Sequence, residues 1–142
     1  MSHSRLTIAF GLLIAAQSAH SIEEYLGRLW DVFPPAAFVS GLIASNREVG
    51  FVILNVALVT FGIWCLVWPI ARAWPSAAAL VSFWCVLEGL NGVGHILWSL
   101  LQRGYVPGLV TAPLLLIFTF NLTRVDAARI NAARHGRRRA AS

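Results

Sequence analysis

Residues 51–70 read FVILNVALVTFGIWCLVWPI, twenty consecutive positions without a charged side chain. At about 1.5 Å per residue, a helix of that length crosses the roughly 30 Å hydrocarbon core of a bilayer. The stretch is therefore a transmembrane helix, and it sets the class of protein to which the rest of the chain must conform.

Residues 104–123 form a second charge-free run of the same length. Between the two, residues 76–102 are apolar except for Glu88 and His95, and Trp74-Pro75-Ser76 supplies a break followed by an N-cap. The first segment is less uniform. Arg5, the run from Thr7 to Ala16 and the small residues of Ala16-Gln17-Ser18 resemble a secretory signal, whose cleavage would start the mature chain just before His20. The helical pattern nevertheless continues through His20, Glu23, Glu24 and Tyr25 to Trp30, and residues 31–35 end it, which favours a retained helix.

Composition agrees. Of 142 residues, 58% are hydrophobic and only 12% charged, about half the usual quarter, which excludes a disordered chain and argues against a soluble enzyme. Cys65 and Cys85 both sit in apolar stretches and read as inert thiols, not as a disulfide or a thiolate metal site. The expected architecture is an all-α membrane protein, four transmembrane helices in an antiparallel bundle over residues 1–123, followed by a basic tail over residues 124–142. Residues 31–48 contain Pro34-Pro35, Phe38, Leu42 and Ile43, too apolar for a solvated linker and too short to span. They are expected to form a short interfacial segment between the first two helices.

Every cation in the chain is an arginine, and six of the eleven lie in the tail, at Arg124, Arg129, Arg134, Arg137, Arg138 and Arg139. The positive-inside bias puts this tail in the cytoplasm, and four spans put the N-terminus there too. A topology anchor at the lipid headgroups explains the tail, so no nucleic-acid partner is expected.

The ionisable residues inside the spans carry the functional information. His20 and Glu24 share a face of the first helix with Gln17, and Glu23 sits to one side; on the third helix Glu88, Asn91 and His95 fall on one stripe. The two stripes lie at similar depth, His20 roughly 22 Å from Arg5 and Glu88 to His95 roughly 18 to 28 Å from Ser76. Three glutamates facing lipid would cost on the order of 10 kcal/mol, so the stripes should face each other. A cation between them offsets that cost, and two imidazoles with one carboxylate form a catalytic zinc ligand set with an open water position. Asn55 and Asn121 are expected to make interhelical hydrogen bonds, and Gly89, Gly92 and Gly94 to admit a close neighbour.

His20-Ser21-Ile22-Glu23-Glu24 resembles the pattern that names the HXXEE family of small bacterial membrane proteins. Asn91 to His95 is similar to that family's second histidine region, and Tyr105-Val106-Pro107-Gly108 to its Tyr-x-Pro-Gly motif. The resemblance implies a multi-pass protein of the bacterial inner membrane and no specific activity. Physically, Pro107 and Gly108 suit a tight reversal between antiparallel helices, and Tyr105 stands at the same end as the polar stripes, as a hydrogen-bond donor to substrate or a member of the interfacial aromatic belt.

The leading expectation is a metal-dependent membrane enzyme, most simply a hydrolase, acting on a lipophilic substrate from the bilayer. His20, Glu24 and His95 bind a divalent ion, zinc before iron. Glu88 is base or fourth ligand, Asn91 orients His95, Glu23 is the base or spare, and Tyr105 completes the site. Two other readings use the same residues: a metal-free isomerase in which carboxylates and histidines move protons on a hydrophobic substrate, and a small ion or metabolite transporter, which with four helices would have to form a homo-oligomer.

Overall fold

The computed structural model describes residues 3–140, with side chains for residues 4–132. The side chains of Arg134, His135, Arg137, Arg138 and Arg139, on which much of the basic-tail reading rests, lie outside the described residues. The described chain is helical without strands: α1 (His3–Leu26), α2 (Leu29–Val32), α3 (Pro34–Ile43), α4 (Arg47–Cys65) running into a π-helical turn (Leu66–Ile70), α5 (Ala77–Gln102) and α6 (Ala112–Ala140).

Local chemistry explains most boundaries. α1 stops at Leu26, four residues before the expected end, because Arg28 takes the left-handed conformation (φ 53°). Pro34 and Pro35 open α3, where a missing N–H costs nothing. The Asn46 side chain caps α4, accepting from the backbone N–H of Glu48 at 2.9 Å and of Val49 at 3.3 Å. Pro69 has no N–H to give, and the helix widens there, with the Ala71 N–H reaching Leu66 O at 3.0 Å. Ser76 does precede α5, but its hydroxyl makes no cap bond.

Three helical stretches among the described residues are long and apolar enough to cross a membrane: Ser4–Leu26, Arg47–Ile70 and Ala77–Gln102. The expected fourth span, residues 104–123, is not one helix. Its first part is a turn containing Pro107 and Gly108, and α6 begins only at Ala112. The charge-free part of α6, residues 112–123, is then about 18 Å long at 1.5 Å per residue, shorter than a hydrocarbon core. α6 also continues unbroken past Arg124 to Ala140.

Side-chain pairs give the helix directions. Phe10 meets Trp84 and Glu24 meets His95, so α1 and α5 ascend together. Ile14 lies against Gly62 and Ser21 against Asn55, so α4 runs against α1; Thr123 reaches Cys85 and Leu116 covers Gly92, so α6 runs against α5. α6 packs on both α1 and α5, and α3 folds back on α4. Leu6, Phe10, Leu13, Val81, Trp84 and Leu122 belong to one buried apolar cluster, and Leu29, Trp30 and Phe51 form a second, with Phe33 and Trp98 packed against it. The polar residues of α1 and α5 lie along the chain between the residues of these two clusters.

Candidate metal centre

His20 and Glu24 stand one turn apart on α1, and His95 reaches them from α5. His95 Nε2 lies 3.0 Å from Glu24 Oε1, His20 Nε2 lies 3.3 Å from the same oxygen, and the two imidazoles meet edge to face at 4.7 Å between centroids. All three residues are buried, and one ligand atom from each falls within 4.8 Å of the others, so the group could hold a metal ion. The helical spacing anticipated this convergence, because residues four apart share a face.

The remaining atoms favour one tautomer of a neutral His20. Its Nδ1 lies 2.7 Å from Thr111 Oγ1. The Thr111 hydroxyl has one proton, given to Glu23 Oε2 at 2.6 Å, so toward His20 it can only accept. His20 Nδ1 therefore carries a hydrogen, and in the neutral ring Nε2 presents a bare lone pair toward Glu24. Consistently, His20 Nε2 is buried without a hydrogen-bond partner, as is His95 Nδ1.

Glu23 has a different task from its neighbour. Its carboxylate accepts from the backbone N–H of Val110 (3.0 Å) and of Thr111 (2.8 Å), from the Thr111 hydroxyl and from the Tyr105 hydroxyl (2.9 Å). Both oxygens take a backbone N–H, which marks an ionised group. Arg28 pairs with Asp31 at 2.7 Å and does not engage Glu23. Tyr105, outside the spans, has its phenol pushed above the ordinary value by burial and by the Glu23 carboxylate, which keeps it protonated as a donor. Gly108, at φ 92°, completes the arrangement: a Cβ there would lie 2.7 Å from His95 Cε1 and Nδ1 and 2.8 Å from His20 Cε1. The 105–111 turn thus packs directly on both histidines.

Glu88 is fully buried. With the Gln17 amide turned so that its NH2 faces the carboxyl, it donates to Glu88 at 2.7 and 3.2 Å, and the Gln17 oxygen lies 3.1 Å from Ser21 Oγ. The Ser21 hydroxyl has one proton to share between that oxygen and Asn55 Oδ1, which lies nearer at 2.6 Å, and the Asn55 NH2 donates to Phe51 O at 3.1 Å, so polar groups line a path from α5 through α1 to α4. Asn91 engages the Glu88 carboxyl, whereas the ring of His95 is held by Glu24. The structure thus brings His20, Glu24 and His95 together, ties Glu23 and Tyr105 into the adjoining turn, and gives Glu88 its own polar surroundings.

Gly108 was legible only as a turn residue, and Thr111 and Gln17 carried no signal of their own beyond Gln17 sharing the His20 face. A hydroxyl at Thr111 acquires meaning only when the turn folds it onto α1.

No curated protein and no solved structure matches this chain. A family model described as "Protein of unknown function with HXXEE motif" matches residues 11–122, which include every residue of the centre and the whole Tyr105-to-Thr111 turn. The chain therefore belongs to the HXXEE family, whose name falls on the α1 residues that build the centre.

Proposed function

We propose that this protein is a membrane-embedded metalloenzyme, most simply a hydrolase acting on a lipophilic substrate, with a divalent ion, zinc foremost, held by His20, Glu24 and His95. The observation that carries this reading is the His20 ring. Thr111 and Glu23 commit its Nδ1 hydrogen, so in the neutral ring a buried lone pair faces a carboxylate oxygen 3.3 Å away. A cation between them turns that repulsion into coordination, and the Glu23–Thr111–His20 chain is the outer support that metal-binding histidines commonly have. A divalent ion in such a three-ligand set supplies Lewis-acid polarisation of a carbonyl and acidifies water.

The chain's own residues supply the rest. Glu88, buried and steadied by Gln17 and Asn91, is the group available to take or return a proton. Glu23 and Tyr105 act as positioning residues, because their polar atoms are spent on each other and on the turn. We further propose that the apolar start of α6 completes a four-span antiparallel bundle, with both termini on the cytoplasmic side of a bacterial inner membrane and α2–α3 lying at the outer interface. The metal-free isomerase reading keeps one support, the His95–Glu24 hydrogen bond, which needs no ion.

Metal analysis decides between them. Protein purified in mild detergent without a histidine tag should contain about one equivalent of divalent metal by mass spectrometry, and His20→Ala and His95→Ala should each lose it. No stoichiometric metal in the unmutated protein would remove the metalloenzyme and promote the isomerase.

A further inference from the structure

One cavity reaches the candidate centre at His95. It has a volume of about 160 Å3 and is lined by Phe33, Leu90, Asn91, Gly94, His95 and Trp98. Given a liquid share of about 30 Å3 per water, that is room for about five waters, so a polar head fits and a whole lipid does not.

Its walls differ in character. On the inner side stands the ring of His95, 5% exposed. Asn91, whose amide engages Glu88 through one N–H, has a second N–H to offer. Phe33 and Trp98 pack at 4.3 Å between ring centroids and join α5 to the α2–α3 segment beside the cavity. The outer side is apolar and exposed: Leu90 is 70% exposed, and a Cβ at Gly94 would meet nothing within 4 Å. Val86, Val93 and Leu97 are also exposed on α5, one of the three helices able to span a bilayer. A groove of about 350 Å3 between α1 and α4, lined in part by Ser21, Val52 and Asn55, is larger but touches none of His20, Glu24 and His95.

We propose that the cavity beside His95 is the substrate pocket, and that its ligand is a long-chain ester or amide entering sideways from the bilayer past Leu90 and Gly94. The carbonyl head occupies the cavity, where the Asn91 amide donates to its oxygen. The hydrocarbon chain stays outside, along Val86, Val93 and Leu97. This inference rests on the metalloenzyme reading for its chemistry, but the pocket itself is defined by shape and polarity.

The probe is a palmitoyl ester whose short alcohol carries a diazirine, added to the full-length protein in lipid nanodiscs and photolysed, with adducts mapped by peptide mass spectrometry. Adducts should concentrate on Phe33 and on residues 90–98. Gly94→Leu places a side chain in the mouth, where there is open space for it, and should reduce labelling about tenfold, the equivalent of about 1.4 kcal/mol. Leu90→Ala, which widens the mouth, should retain labelling, and so should Val56→Trp in the α1–α4 groove. Labelling spread over all lipid-facing positions, labelling confined to the α1–α4 groove, or labelling indifferent to Gly94→Leu would each overturn the pocket. Metal content is read on the same samples: pocket-specific labelling without metal keeps this inference and removes the metalloenzyme, whereas metal with diffuse labelling does the reverse.

Discussion

Thr111 shows how much one hydroxyl can decide. It receives the His20 Nδ1 hydrogen and passes its own to Glu23, so it sets which ring nitrogen is left to face Glu24. Thr111→Val keeps the volume and removes both bonds; metal affinity should fall about 10- to 100-fold, as for other outer supports of metal-binding histidines, and Thr111→Ser should restore most of it. Competition with a chelator measures both. Gly108 is constrained twice, by φ 92° and by the imidazoles packed against it. Gly108→Ala should cost about 1 to 3 kcal/mol from the backbone alone and displace both rings, seen as a lower melting temperature together with lost metal. Sequence spacing brought out His20, Glu24 and His95, because helical periodicity is local. It left the role of Glu23 open, because that position lies about 100° round the helix from Glu24 and only the neighbouring turn says what it meets.

At the scale of elements, the motifs that look separate in sequence form one unit. The end of α1 and the start of α6 are joined through Glu23, whose carboxylate gathers residues 105–111. That attachment is why the charge-free run of residues 104–123 begins as a turn. The α3–α4 pair has its own close contact, since a Cβ on Gly50 would collide with the Ser40 carbonyl, a backbone atom that cannot rotate away. Gly50→Ala should therefore pry α3 from α4 and expose the Trp30–Phe51 cluster, read as a red shift of tryptophan fluorescence and faster proteolysis between α3 and α4, with α1, α5 and the proposed metal site retained. That residues 31–48 hold a short apolar segment between the first two spans was readable from Phe38, Leu42 and Ile43. The early end of α1 was not, because nothing in Gly27-Arg28 marks a left-handed arginine.

For the whole molecule, the placement of the two termini turns on how α6 meets the membrane. Three spans put the termini on opposite sides and four put them on the same side, so reporter fusions at each end give a direct answer. Both fusions should report the cytoplasm if the start of α6 spans together with the preceding turn; opposite sides would leave α6 as a helix packed against α1 and α5 that emerges with its arginines at the headgroups. Gly92 bears on assembly as well. It is covered by Leu116 of the same chain, so this glycine is spent on the internal α5–α6 contact.

The sequence by itself determined that the protein is helical and suited to a bilayer, because length without charge is a one-dimensional property, and that its few buried polar residues lie on two stripes, because helical periodicity is nearly so. Only the tertiary structure decided which of those residues meet, that the Tyr105-to-Thr111 turn lies on the histidines, and that Glu23 is bound by that turn. These depend on contacts between residues as far apart as Glu23 and Thr111, where directed hydrogen bonds with one proton each allow few arrangements, and no local pattern encodes them.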